Sequence, residues 1–277
     1  MYKLTESDKA LIKMALKEDI GERDLTSSAI AHCSFISAQI IAKEEGIVAG
    51  IDIANKCFLE VDSKIKIKRV IKDGEIVKPD SIILELTGCG ESILSCERTT
   101  LNFLGSLSGI ATLTSKFVQK ASPSKIYDTR KTTPGFRRME KYAVKIGGGY
   151  NHRFGLFDEI LIKDNHIKIA GGIKKAILLV KKKYPKKKIE VETENLEQVR
   201  EAISQGADII MLDNFDILKM KEAISLIRKK DKNIKIEVSG GINLSNIEDI
   251  ARFNPDIISI GALTHSAKAL DVSLEIK

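Results

Sequence analysis

The chain has 277 residues, room for about two domains of ordinary size and for a substantial core. Hydrophobic residues make up 43% and charged residues 30%, which excludes a disordered chain. The net charge of +7 suits either a nucleic-acid face or a pocket for anionic small molecules, and the placement of the cations decides between them.

No apolar run approaches the ~18 residues of a membrane span, so no membrane partner is expected. The start, MYKLTESDKALIKMALKEDI, carries acidic residues and lacks the apolar stretch of a signal peptide. The four cysteines, Cys33, Cys57, Cys89 and Cys96, form no C-x-x-C pair. They read as small buried hydrophobes in a reducing, cytoplasmic interior.

Residues 1–20 predict a helix, with Thr5 and Asp8 as a capping signal and Leu11, Ile12, Ala15 and Leu16 at helical spacing. From about 37 to 88 short β-like runs follow: AQIIAKEEGIVAGI, KIKIKRVI and SIILELTG. A long helix is predicted from about 92 to 121. Its second face, Arg98, Asn102, Gly105, Gly109 and Thr112, is small or polar. Two glycines inside a helix point to close approach of another backbone, either in a subunit or domain contact or in a groove within the domain.

From about 124 strand-like and helix-like runs alternate. The strands are KIYDTR, EILIK, KIEVE, DIIMLD, IKIEVS and DIISIG, and amphipathic helices lie between most of them. This rhythm predicts parallel βα units. Six strands are too few for a closed eight-stranded barrel, so the fold class is α/β: an incomplete α/β barrel with a smaller N-terminal α+β domain. The expected boundaries are 1–110 for the N-terminal domain, joined by 266–277 through LDVSLEIK, and 111–265 for the barrel.

In sequence order the strands end at Arg130, Lys163, Glu192, Asp213, Ser239 and Gly261. In parallel α/β architectures these ends form the ligand face. Thr129, Arg130 and Lys131 follow the first strand, His152 and Arg153 precede the second, and Arg98 adds a further cation. Such a cluster suits a substrate with several negative charges. Neighbouring strands lie about 4.8 Å apart, so Glu192 and Asp213 can share one small volume. There they would hold Mg²⁺, bind ribose hydroxyls, or pair with nearby lysines. Ser239-Gly240-Gly241 and Gly261-Ala262 offer backbone N–H groups to phosphate. The lysine run 181–188 reads as a solvated helix end. With aromatics at only 5%, stacking on bases has little material, and no nucleic-acid partner is expected. His32 and His166 have no recognisable partners in the sequence, while His265 lies either near the second phosphate turn or on the surface.

The blocks DTRKTTPGFRRMEKYAV, GGGYNHRFGLFDEILIKDNHI, EVETEN, IIMLDN, SGGI and ISIGALTHSA, with CERTTLNFLGSLSGIAT before them, closely resemble the quinolinate phosphoribosyltransferases over nearly the whole chain. The resemblance implies transfer of phosphoribosyl from phosphoribosyl pyrophosphate to quinolinate with decarboxylation, with Mg²⁺. It implies a homodimer whose site is shared, Arg98 crossing to the neighbouring subunit. Arg130, Lys131, Arg153 and Lys163 would grip the quinolinate carboxylates and the pyrophosphate, with Thr129 and His152 beside them. Glu192 and Asp213 would face the ribose and the metal, and Lys131, Lys163, Glu192 and Asp213 would form the catalytic set. Ser239 to Gly241 and Ile260 to Ala262 would receive the 5′-phosphate. A scaffold relative found beside molybdate-transport genes and a Schiff-base aldolase using Lys163 are the rival readings.

Overall fold

A computed structural model describes residues 2–32 and 34–277, so Cys33 lies outside the described residues. The elements run as follows. Helices α1 (Glu6–Ile20) and α2 (Leu25–Ile30) precede strands β1 (Phe35–Ala42) and β2 (Gly46–Ile47), then α3 (Ile51–Val61). Strands β3 (Lys66–Arg69), β4 (Ile76–Val77) and β5 (Ile82–Cys89) lead to α4 (Gly90–Ser95) and α5 (Glu97–Ala121). Next come β6 (Lys125–Tyr127), α6 (Arg137–Ile146), β7 (Ile160–Ile162), α7 (Asp164–Ala170) and α8 (Ile173–Lys183). The last stretch holds β8 (Ile189–Thr193), α9 (Leu196–Ser204), β9 (Ile209–Asp213), α10 (Ile217–Lys230) and β10 (Lys235–Ser239). It ends with α11 (Ile247–Ala251), β11 (Ile257–Ser259), α12 (Ala262–His265) and β12 (Val272–Ile276).

The chain divides into two compact units. The first comprises Met1–Ser115, Thr133–Gly148 and Ser266–Lys277, and the second Lys116–Thr132 and Gly149–His265. The stretch 133–148, which the sequence reading leaves in the barrel, belongs to the first unit. Its helix α6 buries Met139, Ala143 and Val144, and at its end a Cβ on Gly147 would overlap the Ala111 carbonyl.

In the first unit, the capping box at Thr5 and Asp8 starts α1 as the sequence indicates. An antiparallel sheet runs β12-β1-β5-β3, and its register pairs Ala38 with Ile276 and Ala42 with Val272. The C-terminal strand therefore returns to this unit, as its alternation suggests. Ile40, Leu84 and Leu86 from the sheet and Phe58, Leu104 and Leu107 from the helices are nearly or fully buried, each contributing roughly 1.5–3 kcal/mol of transfer free energy. Helix α3 is absent from the sequence reading, which extends IVAGI as strand. Gly50, at φ 104°, takes a left-handed conformation that L side chains resist, and the chain turns there into a helix. The predicted helix at 92–121 is two helices separated at Cys96.

The small-residue face of α5 is a groove within this unit. Gly105 faces the Leu270 carbonyl and Gly109 the Lys268 carbonyl, and the Leu270 N–H donates to the Gly105 carbonyl at 2.9 Å. Thr112 Oγ1 accepts from the Ile47 N–H at 2.8 Å. The chain itself therefore covers Gly105 and Gly109, which removes the subunit-contact alternative for them.

The second unit is a parallel sheet of order β6-β11-β10-β9-β8-β7. All six predicted strands are present, and β8 is buried along its whole length, as expected for a parallel strand covered on both faces. Strands β6 and β7 are the two edges. Residues around Tyr150 lie along the β6 edge: the Tyr150 N–H donates to the Ile126 carbonyl at 2.8 Å, and the Asp128 N–H to the Tyr150 carbonyl at 3.0 Å.

Gly109→Ala tests the close approach. Alanine gains about 1 kcal/mol of helix propensity over glycine, yet its Cβ would overlap the Lys268 carbonyl oxygen. Overpacking against backbone outweighs the gain, so we expect a net loss of roughly 1–3 kcal/mol in denaturant unfolding. A stability equal to or above wild type would contradict the packing.

Candidate active site

The strand ends differ slightly from the sequence reading. Strands β8, β9 and β10 end at Thr193, Asp213 and Ser239, whereas β6, β7 and β11 stop at Tyr127, Ile162 and Ser259. Arg130 and Gly261 therefore sit on the loops just beyond their strands, and Lys163 is the N-cap of α7. That short helix replaces the loop expected at KDNH. His166 is its third residue and accepts the Lys163 N–H through Nδ1 at 2.9 Å. His32 also has a partner, Glu91, at 2.9 Å.

These ends and loops enclose one cavity of about 610 Å³ in the second unit. Its lining includes Thr129, Arg130, Lys131, His152, Arg153, Lys163, Glu192 and Asp213, together with Ser239 to Gly241 and Ile260 to Ala262. Every site residue expected from the sequence except Arg98 is thus brought together. Arg98 is exposed on α5 in the first unit and is not part of this lining.

Alternation places Glu190 and Glu192 of β8 on one side of the sheet, and the register sets Glu192 opposite Met211 and Ser239 opposite Asp213. Lys163 Nζ donates to Glu192 Oε2 at 2.7 Å. The Nζ that a Schiff base would need is already engaged by this carboxylate, which disfavours the Schiff-base reading. Burial, then the Glu192 charge, raises the Asp213 pKa, with Lys163 and Lys131 opposing. Two carboxylates in mutual repulsion are a hard-oxygen donor set that a divalent cation would relieve, so the pair fits Mg²⁺. Arg153 is 8% exposed. Burial, and next Arg130, lowers its pKa, as expected for two guanidinium groups turned to one space.

Gly240 (φ 91°) and Gly241 (φ 64°) are both left-handed, and a Cβ on Gly240 would overlap the Asn214 side chain. Asn214 in turn donates to Asp213 Oδ2 at 2.8 Å. The turn therefore holds the second carboxylate in place as well as exposing backbone. No helix begins directly after it: α11 starts at Ile247, so a phosphate there would rely on backbone N–H groups and not on a helix dipole. At the second turn, a Cβ on Gly261 would press against Lys131 Cδ and His265 Nε2, which places His265 at the cavity. Thr264 Oγ1 donates to the Lys131 carbonyl at 2.7 Å, tying the cationic loop to this turn.

The sequence reading passed over Asn214, Ser259 and Glu237 of the lining, and Glu190 beneath it. The signal for the glutamates was present: a carboxylate two positions inside an otherwise apolar buried strand, in KIEVE and in IKIEVS. Glu190 is 3% and Glu237 1% exposed, and His152 Nε2 lies 3.4 Å from a carboxylate oxygen of each. Burial, and next Glu237, raises the Glu190 pKa to about 7. Burial opposes protonation of His152, but Glu190 and Glu237 prevail and raise its pKa to about 10. The Arg153 N–H donates to Nδ1 at 2.8 Å, and only a nitrogen without a proton accepts it. That hydrogen bond decides the form: a neutral ring with its proton on Nε2.

The buried Cys57 and Cys96 are free thiols, and Cys89 is half-buried rather than fully buried. Among the described residues, no helix is long and apolar enough to cross a membrane.

Comparison with known proteins agrees with this geometry. The family model for the quinolinate phosphoribosyl transferase N-terminal domain matches residues 24–108, and that for the C-terminal domain matches residues 110–275. A probable nicotinate-nucleotide pyrophosphorylase (carboxylating) of Methanocaldococcus jannaschii is 46% identical, over 96% of this chain and 96% of its own. One of Bacillus subtilis is 44% identical, over 97% and 93%. The solved nicotinate-nucleotide pyrophosphorylase of Francisella tularensis superposes with a TM-score of 0.94 at 44% identity, covering 99% of this chain and 98% of that one. With both halves matched and the strand-end cations and carboxylates gathered in one cavity, the chain belongs to the quinolinate phosphoribosyltransferase family.

Proposed function

We propose that the cavity of the second unit transfers phosphoribosyl from phosphoribosyl pyrophosphate to quinolinate, giving nicotinate mononucleotide, pyrophosphate and CO₂ in NAD biosynthesis. The observation that carries this is the joining of four cations, two carboxylates and two glycine turns around one cavity of about 610 Å³.

In this reading Arg130 and Arg153 hold the quinolinate carboxylates, since planar guanidinium groups match them bidentately. Lys131, linked to the Gly261 turn, and Lys163 face the pyrophosphate. Backbone N–H groups at Gly240, Gly241, Gly261 and Ala262 receive the 5′-phosphate, with Ser239, Ile260 and Thr129 shaping the walls. The bond from the anomeric carbon to the pyrophosphate oxygen breaks as the bond to the quinolinate nitrogen forms. Positive charge develops on the sugar, and Glu192 and Asp213 stabilise it while the lysines stabilise the leaving anion. Fixing both anions side by side turns their encounter into an oriented one. The ring nitrogen, now bonded to ribose, is cationic and stabilises the electron pair left on the adjacent ring carbon when its carboxylate departs as CO₂; that pair then takes up a proton. No protein nucleophile is needed.

Mg²⁺ held by Glu192 and Asp213 would supply charge neutralisation at the pyrophosphate oxygens. We further propose a homodimer in which Arg98 completes the neighbouring subunit's site, in keeping with its exposure on α5. A reducing cytoplasmic setting is part of the same reading, in keeping with the free Cys57 and Cys96 thiols. No nucleic-acid or membrane partner is included.

Lys163→Met separates function from fold. Its ion pair is partly exposed, 44% on the lysine side chain, so unfolding free energy should change by under about 1 kcal/mol. CO₂ release from quinolinate should fall by about 10²-fold or more; retention of most of the activity would refute its role. For the shared site, Arg98→Ala and Lys131→Ala should each abolish turnover. Mixed and reassembled, they should regain about a quarter of wild-type activity, because half the dimers then carry one intact site. No recovery in verified hybrid dimers would refute the sharing.

A further inference from the structure

His152 and Glu237 line the cavity, with Glu190 buried behind them, yet the steps just described give this cluster no part. The ligand atoms of the three residues lie within 4.8 Å of one another, a spacing suited to a divalent cation. The hydrogen bonding argues otherwise. A metal-bound imidazole carries its proton on the remote nitrogen and donates it to an acceptor. Here Nδ1 accepts the Arg153 N–H at 2.8 Å, so the proton sits on Nε2, between the two carboxylates.

The location suggests what the cluster does. The sheet is open between β6 and β7, and 149–153 runs along the β6 side, bridged at Tyr127 and Tyr150. The His152 N–H donates to Asp128 Oδ1 at 2.8 Å, and the ring stands edge-on to Tyr127. Across the interior, its Nε2 meets Glu190 of β8 and Glu237 of β10. Arg153 follows, and its guanidinium donates to the Glu159 carbonyl, just before β7, at 3.2 Å. His152 is thus a polar brace across a seam that no strand pairing closes, and both of its ring nitrogens are engaged by protein atoms.

We propose that Glu190 and Glu237 are positioning residues for quinolinate: by holding His152 across the open seam they fix the Arg153 main chain, and with it the guanidinium that meets a substrate carboxylate. Neither glutamate touches the substrate in this scheme. It rests on the reading of the cavity as the quinolinate site and adds the residues that set its geometry.

Glu237→Met tests it, because methionine keeps the shape and removes the carboxylate that faces Nε2 at 3.4 Å. Glu237 is 1% exposed and neither of its carboxylate oxygens is hydrogen-bonded, so an apolar side chain of similar volume removes an uncompensated desolvation cost. We expect an unfolding midpoint no lower than wild type, a quinolinate KM raised about tenfold or more, and kcat and the phosphoribosyl pyrophosphate KM within about threefold. Glu237→Gln, whose amide oxygen keeps a polar group facing Nε2 in place of the carboxylate, should restore the quinolinate KM. A purely structural role would lower stability and the active fraction while leaving KM unchanged. An unchanged quinolinate KM in Glu237→Met overturns the proposal, as does failure of Glu237→Gln to restore it. Stoichiometric Zn²⁺ or Mn²⁺ bound by wild type and lost in Glu237→Met would also overturn it, in favour of a metal site. If Glu237→Met does not fold, Glu190→Met carries the same expectation. A wild-type protein that releases no CO₂ from quinolinate would instead remove the functional reading beneath it.

Discussion

Like-charge repulsion at the cavity is the constraint on which the rest of this structure depends. Arg130, Lys131, Arg153 and Lys163 all face one space, and assembling them costs free energy that an empty pocket cannot recover from substrate. Carboxylates offset that cost. Glu192 pairs with Lys163 at the surface of the cavity, while Glu190 is buried behind it and Glu237, also buried, lines it. The acidic groups cannot lie loose among the cations, or they would repel the anionic substrates that the cations attract. Placement separates the two: the cations stand on loops and a helix cap, the carboxylates on strands.

This division explains which parts were legible in the sequence. Strands β6 to β11 were readable because buried parallel strands are short apolar runs between amphipathic helices, and their order along the chain forces them into one sheet. Residues at their C-terminal ends were then bound to converge, which is why all fourteen expected positions from Thr129 to Ala262 line a single cavity. The exact strand limits were less readable. Lys163 caps a helix, and Arg130 lies three residues beyond β6, because loop conformation is set by tertiary contacts and not by periodicity. Helix α3 was hidden for a related reason, since the left-handed turn at Gly50 leaves no trace in an apolar run. Glu190 and Glu237 looked like ordinary alternation. Only the fold reveals that they point at the same imidazole.

The first unit shows the opposite kind of ambiguity. A helix face of small residues has one appearance in sequence whether a second subunit or the same chain lies against it. Gly105 and Gly109 turned out to admit the backbone at Lys268 to Leu270, a segment more than 150 residues further on in the chain. That contact ties the C-terminal strand to this unit. Arg98, on the same helix but exposed, keeps its proposed role at a neighbouring site without any support from the glycines.

The central claim is that the strand-end cations grip two different anions in one cavity while the carboxylates attend the sugar. A crystal structure with quinolinate and a non-reactive phosphoribosyl pyrophosphate analogue bound together tests it most directly. The account predicts quinolinate carboxylates on Arg130 and Arg153, the 5′-phosphate on the Gly240 and Gly261 turns, and the ribose between Glu192 and Asp213. Either ligand bound away from this cavity, or the ribose turned away from both carboxylates, would contradict it.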